Sequence, residues 1–193
     1  MTDASLRLFA GVGLSPVVRD AIARLSGAMR SGLPGWRFVA PDAIHLTLRF
    51  FGATEPERVT PLVDGLRAVA ETTPRFRLRI TGWGVFPDRR RPRVMWCGID
   101  GEVERLAELA AGCEEVARAC GYAEESRPFR PHLTIARART DRRAAPPPAG
   151  EAPSLGELPV DSMNLYRSRL ESSGAVYEVL EAMSLSGPGT VVR

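Results

Sequence analysis

The largely apolar run Leu6-Arg7-Leu8-Phe9-Ala10-Gly11-Val12 predicts a first strand. A helical period follows at once. Ser15-Pro16 offers an N-cap and a first-turn proline, and Val18, Ile22, Leu25 and Met29 keep one stripe, predicting a helix to about Met29. Trp36 to Val39 reads as a short extended approach to a strand that opens near His45 and closes at Gly52. Thr54 and Glu57 then stand at capping-box spacing before an amphipathic helix on Val59, Leu62, Val63, Leu66 and Val69, which stops ahead of Pro74. Phe76 to Phe86 and Arg93 to Ile99 predict a hairpin whose tip, Asp88-Arg89-Arg90-Arg91, is basic. From Glu102 to Cys120 the stripe Val103, Leu106, Leu109, Cys113, Val116 and Cys120 predicts a further helix, with Gly121 at its stop. A strand through His132 comes next. Thr140 to Gly156 shifts to Arg, Ala and Pro, as expected of a mobile surface loop and not of a domain boundary. Val160 to Ser168 and Ala175 to Leu185 predict two closing strands joined across Gly174.

The element order is β-α-β-α-β and then β-α-β-loop-β-β, an α+β pattern with a gross duplication. Its sharpest sign is His45-Leu46-Thr47-Leu48 returning as His132-Leu133-Thr134-Ile135, copies that hold both histidines of the protein. On an extended strand the His and the Thr of each copy share one face while the apolar residues enter the core. Leu8 precedes His45 by 37 positions and Met95 precedes His132 by 37. The expectation is one bilobal domain over 1–193, with sequence halves of about 1–90 and 91–193, two pseudo-symmetric antiparallel sheets with helices outside, and both motifs in a central cleft.

With 193 residues, 44% of them hydrophobic, the chain can bury a sizeable core without a second linker-joined domain. Its formal charge is +3, but all 26 basic residues are arginine, which favours planar, bidentate phosphate contacts; genomic composition bias produces the same absence of lysine. Cys97, Cys113 and Cys120 lack CxxC spacing, which argues against a disulfide framework or a zinc knuckle and fits a reducing cytosol. Neither a cleavable leader nor a stretch approaching a membrane span is visible, so a soluble, cytoplasmic protein, a monomer without membrane contact, is expected.

Near neutral pH an imidazole is poised between its forms, so a neutral and a protonated ring can serve as base and acid on opposite sides of one centre. Hydroxyls from Thr47 and Thr134 can donate to the non-bridging oxygens of a phosphate held between them. That set suits phosphodiester cleavage, in which one ring activates water and the other protonates the departing alkoxide. Two histidines with no adjacent carboxylate cluster or cysteine pair make a poor zinc or magnesium site, so no metal and no cofactor is expected.

The segments PDAIHLTLRFFG, GVFPDRRRPRVMWCG, SRPFRPHLTIAR and SRLESSGAVYEVL resemble, in order and spacing, the bacterial and archaeal RNA 2′,3′-cyclic phosphodiesterases. These are LigT-like proteins, once called 2′-5′ RNA ligases, of the two-histidine phosphoesterase superfamily. The resemblance runs from about Leu6 to Leu185. It implies a bilobal fold and hydrolysis of a terminal 2′,3′-cyclic phosphate of RNA or a nucleotide to a 2′-phosphomonoester. His45 matches the family's proton donor, His132 its proton acceptor, Thr47 and Thr134 its phosphate-binding hydroxyls, and Arg137 the arginine that closes the second motif. Strict alternation puts Arg137 on the face opposite His132, so that role requires a bulge or the strand's end. Arg49 shares the parity of His45 and is a further candidate substrate contact. Phe51 where leucine is usual, Arg169 where an acidic residue is common, and the proline-rich loop depart from the pattern; none touches the catalytic set.

Two other readings compete. A non-catalytic RNA-end-binding module would use Arg89 to Arg93, Arg127, Arg130, Arg142 and Arg143 on the backbone, with Phe9 or Trp36 as stacking platforms. Within enzymes, the same chemistry reversed is ATP-independent 2′-5′ joining of RNA ends.

Overall fold

The computed structural model describes residues 5–140, 144–147, 154–171 and 174–187. The strands are β1 (Leu6–Gly13), β2 (Trp36–Phe38), β3 (His45–Thr54), β4 (Phe76–Phe86), β5 (Val94–Gly101), β6 (His132–Ala138), β7 (Ser154–Val160), β8 (Ser162–Glu171) and β9 (Gly174–Ser184). Helices α1 (Pro16–Arg30), α2 (Val59–Thr72) and α3 (Val103–Ala119) lie between them.

Strands run in the order β7-β4-β5-β6-β3-β1-β8-β9, with β2 paired to β6. All the strand pairs are antiparallel. At the middle of this path β3 and β6 pair only through Leu46 and Leu133, the residues between the His and the Thr of each motif. The path thus divides there into two four-stranded antiparallel sheets, β3-β1-β8-β9 and β7-β4-β5-β6. These lobes do not follow chain order. β4 precedes the second lobe's other strands in sequence yet pairs with β5 and β7, whereas the late strands β8 and β9 complete the first lobe.

Each lobe buries one face. Leu46, Leu48, Leu133 and Ile135 enter a continuous apolar core with Val18 and Ile22 of α1, Leu62 and Leu66 of α2, and Leu106, Leu109 and Cys113 of α3. Ser15 caps α1 as expected, accepting from the Val18 N–H at 3.4 Å. No helix among the described residues is long and apolar enough to cross a membrane.

Several local expectations are corrected. Thr54 is no N-cap: it ends β3, fully buried, and a short 3₁₀ turn over Pro56–Arg58 precedes α2. Its hydroxyl instead donates to the Gly52 carbonyl at 3.3 Å and accepts from Tyr122 at 3.1 Å. The end of the proline-rich stretch is strand, since β7 begins at Ser154, and Val160 closes β7 instead of opening β8. Ala144 to Pro147 is held in place: the Trp36 indole donates to the Ala145 carbonyl at 2.6 Å, and Arg89 donates to the Pro147 carbonyl at 2.8 Å. The rest of that stretch, 141–143 and 148–153, lies outside the described residues. Equal spacings of 37 also mislead. Ala10 faces Arg49 and Met95 faces Ala136, so Ala10, 35 positions before His45, is the counterpart of Met95.

Candidate active site

The single Leu46–Leu133 bridge sets the geometry of the centre. An antiparallel register about it brings Thr47 towards His132 and Thr134 towards His45, with all four side chains on the face away from the helices. The site is pseudo-twofold because one short motif is used twice across the bridge. Charges on Arg137 and His132 both act on the His45 ring, so these groups lie within electrostatic reach of one another.

Both imidazoles are tied down in the same way. His45 Nδ1 lies 3.0 Å from the carbonyl of Ala43, and His132 Nδ1 lies 2.7 Å from the carbonyl of Arg130, in each case two residues upstream. A carbonyl only accepts, so each Nδ1 carries the proton and each Nε2 remains for exchange with a ligand. What surrounds the rings differs. Around His45 stand Phe9 at 4.5 Å, Tyr177 edge-on at 4.7 Å and Tyr166 at 5.8 Å between ring centroids. Burial among them lowers the His45 pKa to about 4, so the ring is neutral in the empty site at pH 7. His132 has a single close ring neighbour among the described residues, Phe86, edge-on at 5.2 Å.

A β-bulge repeated in both motif strands decides what else reaches the cleft. The ladder slips between Ala10 and Gly11 opposite β3, leaving Leu48 unpaired, and between Met95 and Trp96 opposite β6, leaving Ile135 unpaired. Burial along His45–Phe50 is accordingly reproduced position by position along His132–Arg137. The extra residue reverses parity, turning the fourth residue after each His inward and the fifth into the cleft. Arg137 therefore emerges, exposed, on the face of His132 and Thr134.

The same slip corrects Arg49. It is 9% exposed on the helix side, where its guanidinium bonds Glu114 of α3 and the carbonyls of Phe50 and Ala123. It is no substrate contact. Phe9 is fully buried beneath His45 and stacks on Tyr166 at 4.9 Å, and Trp36 is 4% exposed with its indole hydrogen-bonded. Neither can be a stacking platform. Arg130 stays exposed at the rim, its carbonyl fixing His132; Arg127 pairs with Glu125, and Arg142 and Arg143 lie outside the described residues.

Sequence reading missed Phe50, Tyr166, Tyr177, Phe86 and Trp96. Phe50 occupies the place of Arg137 in the first motif and is 48% exposed, its ring 5.3 Å from that of Phe9. Trp96 faces Thr134 across the ladder and lies over Gly84, where a Cβ would come within 2.2 Å of the indole. The available signal for Phe50 and Arg49 was their counterparts: Arg49 corresponds to Ala136, an apolar residue, which already implies an inward-facing position. Burial pushes the Cys97 and Cys113 thiols up to about 12, so neither is poised as a nucleophile. Among the described residues no three His, Cys, Asp or Glu side chains converge as a metal-holding group.

A family model described as LigT like Phosphoesterase matches residues 12–96 and 98–177. An RNA 2′,3′-cyclic phosphodiesterase of Thermus thermophilus is 37% identical over 190 residues, 94% of this chain and 91% of the relative. Another, from Geobacillus stearothermophilus, is 34% identical over 190 residues, 93% of this chain but 57% of that longer protein. A crystal structure from Thermus thermophilus superposes with a TM-score of 0.78 at 37% identity, covering 94% of this chain and 98% of that one. E. coli LigT in complex with 3′-AMP superposes with a TM-score of 0.76 at 27% identity, covering 94% and 98%. The chain belongs to the LigT like phosphoesterase family.

Proposed function

We propose that the protein hydrolyses the 2′,3′-cyclic phosphate of RNA ends or nucleotides to a 2′-phosphomonoester by metal-independent acid–base catalysis, acting as a cytoplasmic monomer. The observation that carries this reading is the pair of motif strands joined at Leu46–Leu133, each holding an imidazole with Nδ1 on a carbonyl and Nε2 turned to the cleft. His132 accepts the proton of the attacking water, and His45 donates one to the leaving 3′-oxygen. Thr47, Thr134 and Arg137 hold the non-bridging oxygens as charge builds on them. Names carried by relatives, and the 3′-AMP bound by E. coli LigT, agree with a phosphoester ligand. The test is to treat 2′,3′-cyclic CMP with the protein and separate the products. A 2′-phosphate as the main product, formed equally well in EDTA, is expected; a 3′-phosphate would exchange acid and base, and loss of turnover in EDTA restored by a divalent ion would refute the metal-free route.

His45 must gain a proton to act as acid. Its pKa of about 4 in the free protein leaves the ring without that proton at pH 7, so the proton must arrive with the substrate. A bound anion favours imidazolium, so the pKa rises and binding takes up a proton at pH 7. Sulfate does not itself titrate near neutrality. Calorimetry of its binding in two buffers of different ionisation enthalpy should show proton uptake, and none would mean that His45 stays neutral and serves as base.

Phe50 offers an exposed ring on the cleft face, and Phe50→Ala should raise KM for a cyclic nucleotide by about tenfold through lost stacking, with kcat little changed. Steady-state kinetics check it, and an unchanged KM would take the base elsewhere.

A further inference from the structure

The two imidazoles are braced by different sets of rings, and the second lobe builds its brace from a stack that starts on β4. Trp96 of β5 sits in one ladder row between Thr134 of β6 and Gly84 of β4, so all three project from the cleft face. Its indole leans towards β4 and lies on Gly84, where a Cβ would overlap the ring carbons Cζ2, Cη2 and Cε2. Phe86, two residues further along β4, packs on the indole at 5.1 Å with the ring planes 31° apart. The same phenyl ring meets that of His132 edge-on at 5.2 Å. Glycine backbone, indole, phenyl and imidazole thus form one chain of contacts from β4 to the candidate base.

Two observations set this chain apart from ordinary packing. In the first lobe the counterpart of Trp96 is Gly11, which faces Thr47 as Trp96 faces Thr134, so the repeated sheet does not itself demand an indole. The Trp96 Nε1 is also buried with no acceptor among the described residues, an arrangement that costs stability and that phenylalanine would avoid. What the position gains from tryptophan is therefore the extent of its ring, which reaches from Gly84 to Phe86. His45 has Phe9, Tyr166 and Tyr177 around it, whereas among the described residues His132 has Phe86 and the Arg130 carbonyl. One hydrogen bond at Nδ1 fixes one ring atom but not the plane of the ring. The Phe86 ring supplies the second point of support.

We propose that Phe86 and Trp96, seated on Gly84, are positioning residues that hold the His132 imidazole with Nδ1 on the Arg130 carbonyl and Nε2 in the cleft. This deepens the proposed function and rests on it for the role of His132. The test is Gly84→Ala, two contacts removed from His132 and at a position without positive φ, where the added methyl drives the indole off β4 into Phe86. On 2′,3′-cyclic CMP, kcat should fall about 10- to 100-fold with KM little changed, the scale that misplacing a catalytic group produces. Trp96→Phe in the same chain removes the carbons that the methyl strikes, so Gly84→Ala/Trp96→Phe should turn over faster than Gly84→Ala. The protein has two histidines, so nitrogen-15 spectra of its imidazoles carry two sets of signals. At about pH 9, where an ordinary imidazole is neutral, each wild-type ring should show a protonated Nδ1 and a bare Nε2. In Gly84→Ala and in Phe86→Leu the two nitrogen signals of His132 should move towards each other as the tautomers mix, while those of His45 stay in place. An unchanged kcat, a loss expressed in KM alone, a double variant no faster than Gly84→Ala, or a His132 pattern unmoved in both variants would overturn the proposal. If circular dichroism shows Gly84→Ala unfolded, Phe86→Leu carries the kinetic and spectroscopic readouts with the same expected and overturning results. If the wild type does not hydrolyse cyclic CMP, the proposed function fails, while the tautomer measurement still decides whether the stack holds the ring.

Discussion

His132→Ala and His45→Gln should each lower kcat on a cyclic nucleotide by roughly two to four orders of magnitude, the range that positioned proton transfer supplies. The geometry behind this is doubled. Each Nδ1 is engaged by a carbonyl two residues upstream, so each ring can exchange protons only through Nε2, and the two strands aim those atoms into one cleft. Glutamine is the better replacement at position 45, because alanine would leave a void among Phe9, Tyr166 and Tyr177 and confuse lost chemistry with lost packing. Position 132 is more open, and alanine serves there. The double variant should lose far less than the product of the single losses, since the two rings act in one step and neither helps much without the other. Steady-state kinetics with circular dichroism on each variant check this. A folded single variant that turns over at close to the wild-type rate would rule out two-imidazole catalysis.

Much of this was legible because the chain repeats itself. Periodicity located all three helices and most strands, since burial of one face imposes the pattern wherever a sheet meets helices. The doubled His-x-Thr placed both rings in one cleft for the same reason: Leu46, Leu48, Leu133 and Ile135 must face the core, and the polar residues between them cannot. Strand exchange between the lobes was not legible. Which neighbour β4 or β8 selects depends on long-range pairing that no local pattern encodes. Side-chain direction beyond the bulges was equally hidden. Leu48 and Ile135 look like ordinary inward residues, and nothing in either marks the extra residue that reverses the face of everything after it. Phe9 and Trp36 misled differently. Both occupy strands at the cleft, but their rings are large enough to fill the space beneath the site, and a buried aromatic is the common outcome.

Arg137→Ala and Arg49→Ala should therefore separate cleanly, although strand parity alone would exchange their roles. Arg137 is exposed on the cleft face, pairs across the ladder with Val94, and its charge already acts on His45. Removing it should leave folding intact and cut kcat/KM on a cyclic nucleotide by roughly 10- to 150-fold, the worth of a hydrogen bond to a charged group. It should also loosen the choice between 2′- and 3′-phosphate products. Phe50 holds the equivalent place in the first motif, so Arg137 is the asymmetric anchor that distinguishes one side of the phosphate from the other. Arg49 does its work on the other face. Its guanidinium joins Glu114 of α3 to the carbonyls of Phe50 and Ala123, so alanine would strand a partly buried carboxylate and two acceptors at once. Breaking a buried pair from one side costs about 3 kcal/mol at the lower end of the observed range, and the lower end applies because Glu114 retains some exposure. Arg49→Ala should accordingly lower the denaturation midpoint markedly while each folded molecule keeps near-normal turnover. Urea titration and kinetics on the same two preparations decide it: a stable but inactive Arg49→Ala would return that residue to the phosphate, and an unfolded Arg137→Ala would make the second motif's arginine structural.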